Sequence, residues 1–144
     1  MRRFPCALLL IHFLPTAAVA QENDCRASFA LVEGTGQFTA LTLFNFGQHF
    51  ELQADTPAQG PLDKIELAID GEPVTIHPSM GLDDLLVGFS TDPAELQVSD
   101  ALLARLSAGS RVTVSADAGG VAARSDFSLK GSAAAIRRVK GGCK

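Results

Sequence analysis

From Gln37 to Phe46 apolar and polar residues trade places at nearly every step, which puts Phe38, Ala40, Thr42, Phe44 and Phe46 on one face of a strand. Phe50 and Leu52 continue the pattern through His49–Ala54. Beyond a turn-rich loop at Asp55-Thr56-Pro57-Ala58-Gln59-Gly60-Pro61, Leu62–Ile69 alternates with Ile65, Leu67 and Ile69 inward. Asp70-Gly71 reads as a two-residue hairpin turn, because residues that tolerate positive φ suit such turns. Val74 and Ile76 resume the inward face, Thr75 and His77 point out, and Leu85–Phe89 has strand length. The clearest pair is Arg111–Asp117 and Val121–Lys130, turned by Gly119-Gly120. Val112, Val114 and Ala116 face in from the first. Val121, Ala123, Ser125, Phe127 and Leu129 face in from the second, with Arg124, Asp126, Ser128 and Lys130 outward.

Short helices interrupt the strands. Asp92-Pro93-Ala94-Glu95 has an acidic cap, proline at the first position and glutamate at the third, enough for one turn. A second helix starts at Ser99 or Asp100, buries Leu102, Leu103 and Leu106, and ends at Gly109. A third spans Ser132–Lys140, with Ser132, Ile136, Val139 and Cys143 sharing a side. The expected fold is mainly β: an antiparallel β-sandwich or barrel with two short helices in the C-terminal half. An open α+β sheet covered by the two helices is the alternative.

The first twenty residues follow a different rule. Arg2 and Arg3 precede an apolar run, Cys6–Phe13, and Ala18 and Ala20 occupy the −3 and −1 sites of a cleavage signal. Residues 1–20 therefore read as a secretory signal peptide, and the expected location is periplasmic or secreted after cleavage between Ala20 and Gln21. Residues 21–144 then form a single β-rich domain, long enough to bury a core. No later apolar run reaches the length of a membrane-spanning helix. Cys25 and Cys143 remain at opposite ends, and in an oxidising compartment they read as one disulfide closing the domain. Two free thiols or an intermolecular bridge are the alternatives.

After residue 20 there are ten bases against sixteen acids, a net charge of −6. Residues 21–100 hold only Arg26 and Lys64 against fourteen acids, whereas residues 124–144 hold six bases against Asp126. A net acidic domain without a basic stripe argues against nucleic acid as a partner. The basic end, Arg137, Arg138, Lys140 and Lys144, suits either a partner-binding face or a helix complementing its own dipole. There is no Trp or Tyr, which removes the usual sugar platforms. The seven phenylalanines beyond residue 20 read as core.

Catalytic chemistry is hard to assemble from this set. Only His49 and His77 remain as imidazole bases, no G-x-S-x-G elbow occurs, and both cysteines are assigned to the disulfide. A hydrolase using carboxylates is the minor enzymatic alternative. His49 and Glu51 share a strand face and could supply two metal ligands. Asp83-Asp84 lacks the rest of a calcium loop and reads as solvated charge. No cofactor is expected.

The stretch Asp126-Phe127-Ser128-Leu129-Lys130-Gly131-Ser132-Ala133-Ala134-Ala135-Ile136 resembles the ending of the invasion-associated locus B family, small periplasmic or secreted proteins of Gram-negative bacteria. The preceding order, Leu102-Leu103 on a helix, Gly109, then Arg111–Val114, is also similar. The likeness covers roughly residues 99–140. Ser132 stands where the family usually has an aromatic residue, and the family's N-terminal Trp-containing segment and mid-chain cysteines are missing. The resemblance implies a bacterial periplasmic β-rich domain with a role at the envelope or host surface, and it carries over no catalytic residue. The expected function is therefore a non-enzymatic exported module that binds another protein of the envelope or host. The alternative is a small-ligand or metal carrier, with Phe38, Phe44, Phe46 and Phe50 lining a barrel and His49 and Glu51 at its rim.

Overall fold

The computed structural model describes residues 25–34, 38–56, 62–80, 86–90 and 97–143. The expected signal segment, the helical turn expected at Asp92-Pro93-Ala94-Glu95, Asp83-Asp84 and Lys144 lie outside these residues. The chain order is β1 (Arg26–Gly34), β2 (Ala40–Asn45), β3 (Phe50–Asp55), β4 (Leu62–Ile69), β5 (Glu72–Val74), β6 (His77–Met80), β7 (Leu86–Ser90), α1 (Asp100–Ala108), β8 (Arg111–Ala118), β9 (Val121–Ser128) and α2 (Ser132–Lys140). The fold is mainly β and antiparallel, with both helices in the C-terminal half.

Among the described residues one curled sheet contains all nine strands, in the order β5-β4-β8-β9-β1-β2-β3-β7-β6. Two bends produce the curl. Arg26–Phe29 of β1 pairs with β2, whereas Ala30–Gly34 pairs with β9, and the register shifts between Leu31 and Glu33. Such irregularities let a strand pass from one sheet to another. The second bend is at the edges. β5 and β6 end the sheet on opposite sides, yet only Thr75 and Ile76 separate them in the chain. Glu72–Met80 thus pairs with β4 at its start and with β7 at its end.

Alternation places one face of each strand inside the curl. Leu41, Leu43, Leu52, Ala54, Leu67, Ile69, Val112, Val114 and Phe127 are buried in a single core with Phe38 and Phe89. The Asp70-Gly71 turn is as the sequence predicts: both residues have positive φ (51° and 81°), and Ile69 pairs with Glu72. Asp70 also accepts from the Ser110 and Arg111 N–H groups at 3.0–3.1 Å, which aligns the start of β8.

The helices cover one end of the curl. Ser99 caps α1 by accepting from the Leu102 N–H at 3.1 Å. Leu102, Leu103 and Leu106 of α1 join the core with Ile136 and Val139 of α2. The helices run antiparallel, because Ser132 Oγ donates to the Leu106 carbonyl at 2.7 Å while Lys140 approaches Asp100 at 3.9 Å. Gly109 ends α1 for a different reason from the one its position suggests. Its backbone is extended (φ −79°, ψ 167°), so no left-handed cap exists there. A Cβ would lie 2.7 Å from Ile69 Cγ2 and 2.9 Å from Leu129 Cδ1, so the helix packs too close for a side chain.

Three sequence expectations change. Val121 is 61% exposed, because it opens a strand at the Gly119-Gly120 turn, beyond the packed interior. Asp126 faces outward but is only 5% exposed. The phenylalanines divide: Phe29, Phe38, Phe89 and Phe127 are core, Phe44 and Phe50 are half-buried, and Phe46 is exposed. Phe44 and Phe46 therefore do not line the interior, which Phe38, Phe89, Phe127 and the leucines fill. No helix among the described residues is long and apolar enough to cross a membrane.

Candidate protein-binding surface

The β2–β3 hairpin reaches the end that the helices cover. Asn45 pins it there. Its backbone N–H donates to the Cys25 carbonyl at 2.9 Å, its Nδ2 donates to the Val139 carbonyl at 2.8 Å, and its Oδ1 accepts from the Gly47 N–H at 2.7 Å. The Phe46 N–H donates to the His49 carbonyl at 3.0 Å and closes the turn, where Gly47 adopts φ 91°.

This turn gathers side chains on the outer face. The Phe46 ring stacks on Phe44, with centroids 5.8 Å apart, and on His49 at 5.4 Å. His49 Nε2 lies 2.9 Å from Glu51 Oε1, and Gln53 Nε2 donates to Glu51 Oε2 at 2.8 Å. The row from Phe44 through Gln53 is continuous because the five residues share a parity opposite to Leu43, Leu52 and Ala54. Phe46 is 54% exposed at its centre. Both Glu51 oxygens already have partners, so a metal at His49–Glu51 would have to displace them. No group of three or more metal-ligating side chains occurs among the described residues.

The basic helix ends beside this row. Across the sheet Arg26 of β1 stands opposite Phe44, and Arg138 of α2 donates from its guanidinium to the Arg26 carbonyl at 2.8 Å. Arg138 of α2 thus reaches the strand that flanks the row, while Glu51 stands beyond Phe44 on β3 and His49 just before that strand. The duties of the α2 cations differ. Arg137 is exposed, Arg138 ties α2 to β1, and Lys140 sits near Asp100. His77 lies apart, exposed at the start of β6.

Cys25 and Cys143 are joined by a disulfide with their Cα atoms 5.5 Å apart, although they stand 118 positions apart in sequence. It anchors the start of β1 to the chain beyond α2.

Two features escape a strand-by-strand reading. Asp126 accepts from Thr113 Oγ1 at 2.6 Å, with Arg111 at 3.4 Å and Arg124 at 3.6 Å. Arg124, two residues before Asp126 on the same face, is the signal that could have revealed it. An open groove of about 370 Å³ also lies between the end of α1 and the start of α2, lined by Ser107, Ser110, Lys130 and Ser132 among others. No protein-family model, curated protein or solved structure matches this chain, so its surface chemistry carries the functional reading.

Proposed function

We propose that this protein is an exported, non-enzymatic module that binds another protein of the envelope or host through the β2–β3 hairpin end. The observation that carries this reading is the exposed Phe46 ring, held between Phe44 and His49, with Arg26 opposite Phe44 on β1 and exposed Arg137 on α2, which packs against β1 and β2. Aromatic and arginine side chains dominate the energetics of protein interfaces. A rigid aromatic ladder loses little conformational entropy when covered, which favours binding over a mobile side chain.

Export rests on the signal-like first twenty residues and agrees with a disulfide that needs an oxidising compartment. The likeness of residues 99–140 to the invasion-associated locus B family supports a bacterial envelope setting.

A photo-crosslinking residue at exposed Gln48 tests the proposal in the producing cell, with the same residue at Ala122 as a control. The expected result is one dominant crosslinked protein at position 48 and none at 122. That product should disappear with Phe46→Ala and weaken with Arg137→Glu. Equal products at both positions, or none at 48, would refute it. Mass spectrometry of the recovered chain tests export separately: a start at Gln21 is expected, and a retained Met1 would overturn that part.

A further inference from the structure

The disulfide is electrostatically lopsided. One nitrogen of the Arg138 guanidinium lies 3.5 Å from Cys143 Sγ, and the other is fixed by its bond to the Arg26 carbonyl. Cys25 Sγ faces the opposite sign, the Val139 carbonyl oxygen at 3.4 Å. A cation beside a sulfur favours its thiolate, and a carbonyl oxygen disfavours it. Both cysteines are half-buried, so neither is sealed from solvent. Cys143 also holds φ 58°, a region that non-glycine residues seldom occupy, so its backbone gains freedom on release.

We propose that Cys25–Cys143 is a directional thiol-exchange site that takes a thiol of the glutathione class at Cys25. The incoming thiolate attacks Cys25 Sγ and forms a new sulfur–sulfur bond there. The Cys25–Cys143 bond breaks, and its electron pair leaves on Cys143 Sγ as a thiolate beside Arg138. The step is an exchange with no net oxidation. Return attack by the Cys143 thiolate on Cys25 Sγ expels the thiol and restores the clasp. This device does not require the Phe46 ring on which the proposed binding rests, because it needs only the two sulfurs and Arg138.

The test uses the oxidised full chain, reduced glutathione, a maleimide quench and peptide mass spectrometry. Glutathione is expected on Cys25 and maleimide on Cys143, with a preference of about tenfold, the scale of a neighbouring cation's effect on a thiol. Arg138→Met should bring that ratio toward one and slow exchange about threefold or more. Arg138→Lys should keep the preference. A bracing role alone gives the opposite sign: Arg138→Met would loosen the chain ends and speed exchange. Such acceleration, or glutathione evenly spread or on Cys143 in the unaltered protein, overturns the proposal.

Discussion

Replacing Gly109 with alanine sets two physical effects against each other. Gly109 has an extended backbone that any residue can adopt, so alanine should stabilise by restricting the unfolded chain, by ~0.4–1 kcal/mol. The structure opposes this. The new Cβ would meet Ile69 Cγ2 at 2.7 Å, Leu129 Cδ1 at 2.9 Å and the Arg105 carbonyl at 3.1 Å. Ile69 and Leu129 are buried, and the Arg105 carbonyl accepts the capping bond from the Gly109 N–H at 2.9 Å. None can move without disturbing the seam between α1 and the sheet. Overpacking of this kind costs ~1–3 kcal/mol, so the net loss should be ~1–2 kcal/mol. Urea unfolding of the oxidised protein should show a midpoint lowered by about 1 M at unchanged slope. Ile69→Leu removes the offending Cγ2, so a double-mutant cycle should return a coupling of at least ~0.5 kcal/mol. An unchanged or raised midpoint for Gly109→Ala would refute the steric account of why glycine stands there.

Other substitutions probe other elements. The Cys25→Ala/Cys143→Ala pair releases a loop of 118 residues and should cost up to about 5 kcal/mol on the chain-entropy model, read by urea unfolding. A loss below about 1 kcal/mol would show that the open chain already holds its ends together. Ser125→Ala strips the buried Phe38 carbonyl of a 2.9 Å hydrogen bond and should cost ~1–3 kcal/mol in the same assay; equal stability would mean that another donor replaces it. Leu106→Ala, at a fully buried position between the helices and the sheet, should cost ~2–5 kcal/mol, and a smaller loss would show that the helix end collapses to fill the space. Phe46→Ala should change stability by no more than about 0.5 kcal/mol while abolishing the Gln48 crosslink, and a larger loss would make Phe46 a structural residue.

Much of the fold is legible because alternation and turn chemistry act locally. Asp70-Gly71, Gly119-Gly120, the Ser99 cap and the inward faces of β4 and β8 depend on neighbours in sequence. The expectation that puts Phe44 and Phe46 inside fails because β2 is apolar on both faces and periodicity alone cannot say which one meets the core. Packing selects Leu41 and Leu43, and it leaves the aromatic face outside. Asp126 is similar: its outward direction follows from the period of two, but its burial comes from Thr113 and Arg111 on the adjacent strand. The candidate surface was visible as two unrelated fragments. The chain distance between Asn45 and Val139 hid the hydrogen bond that brings them together.

The place of β1 has a consequence in time. Its two neighbours are β2, which follows at once, and β9, which ends at Ser128. A ribosome adding ~5–20 residues per second needs on the order of 5–20 s to make the intervening chain. Throughout that interval one side of β1 has no partner, and the helices that cover the core are absent or incomplete. Completion of the fold waits for the final segment of synthesis. A chain built this way can form its hairpins early but cannot join the two halves of its sheet along β1 until almost all of it has been made.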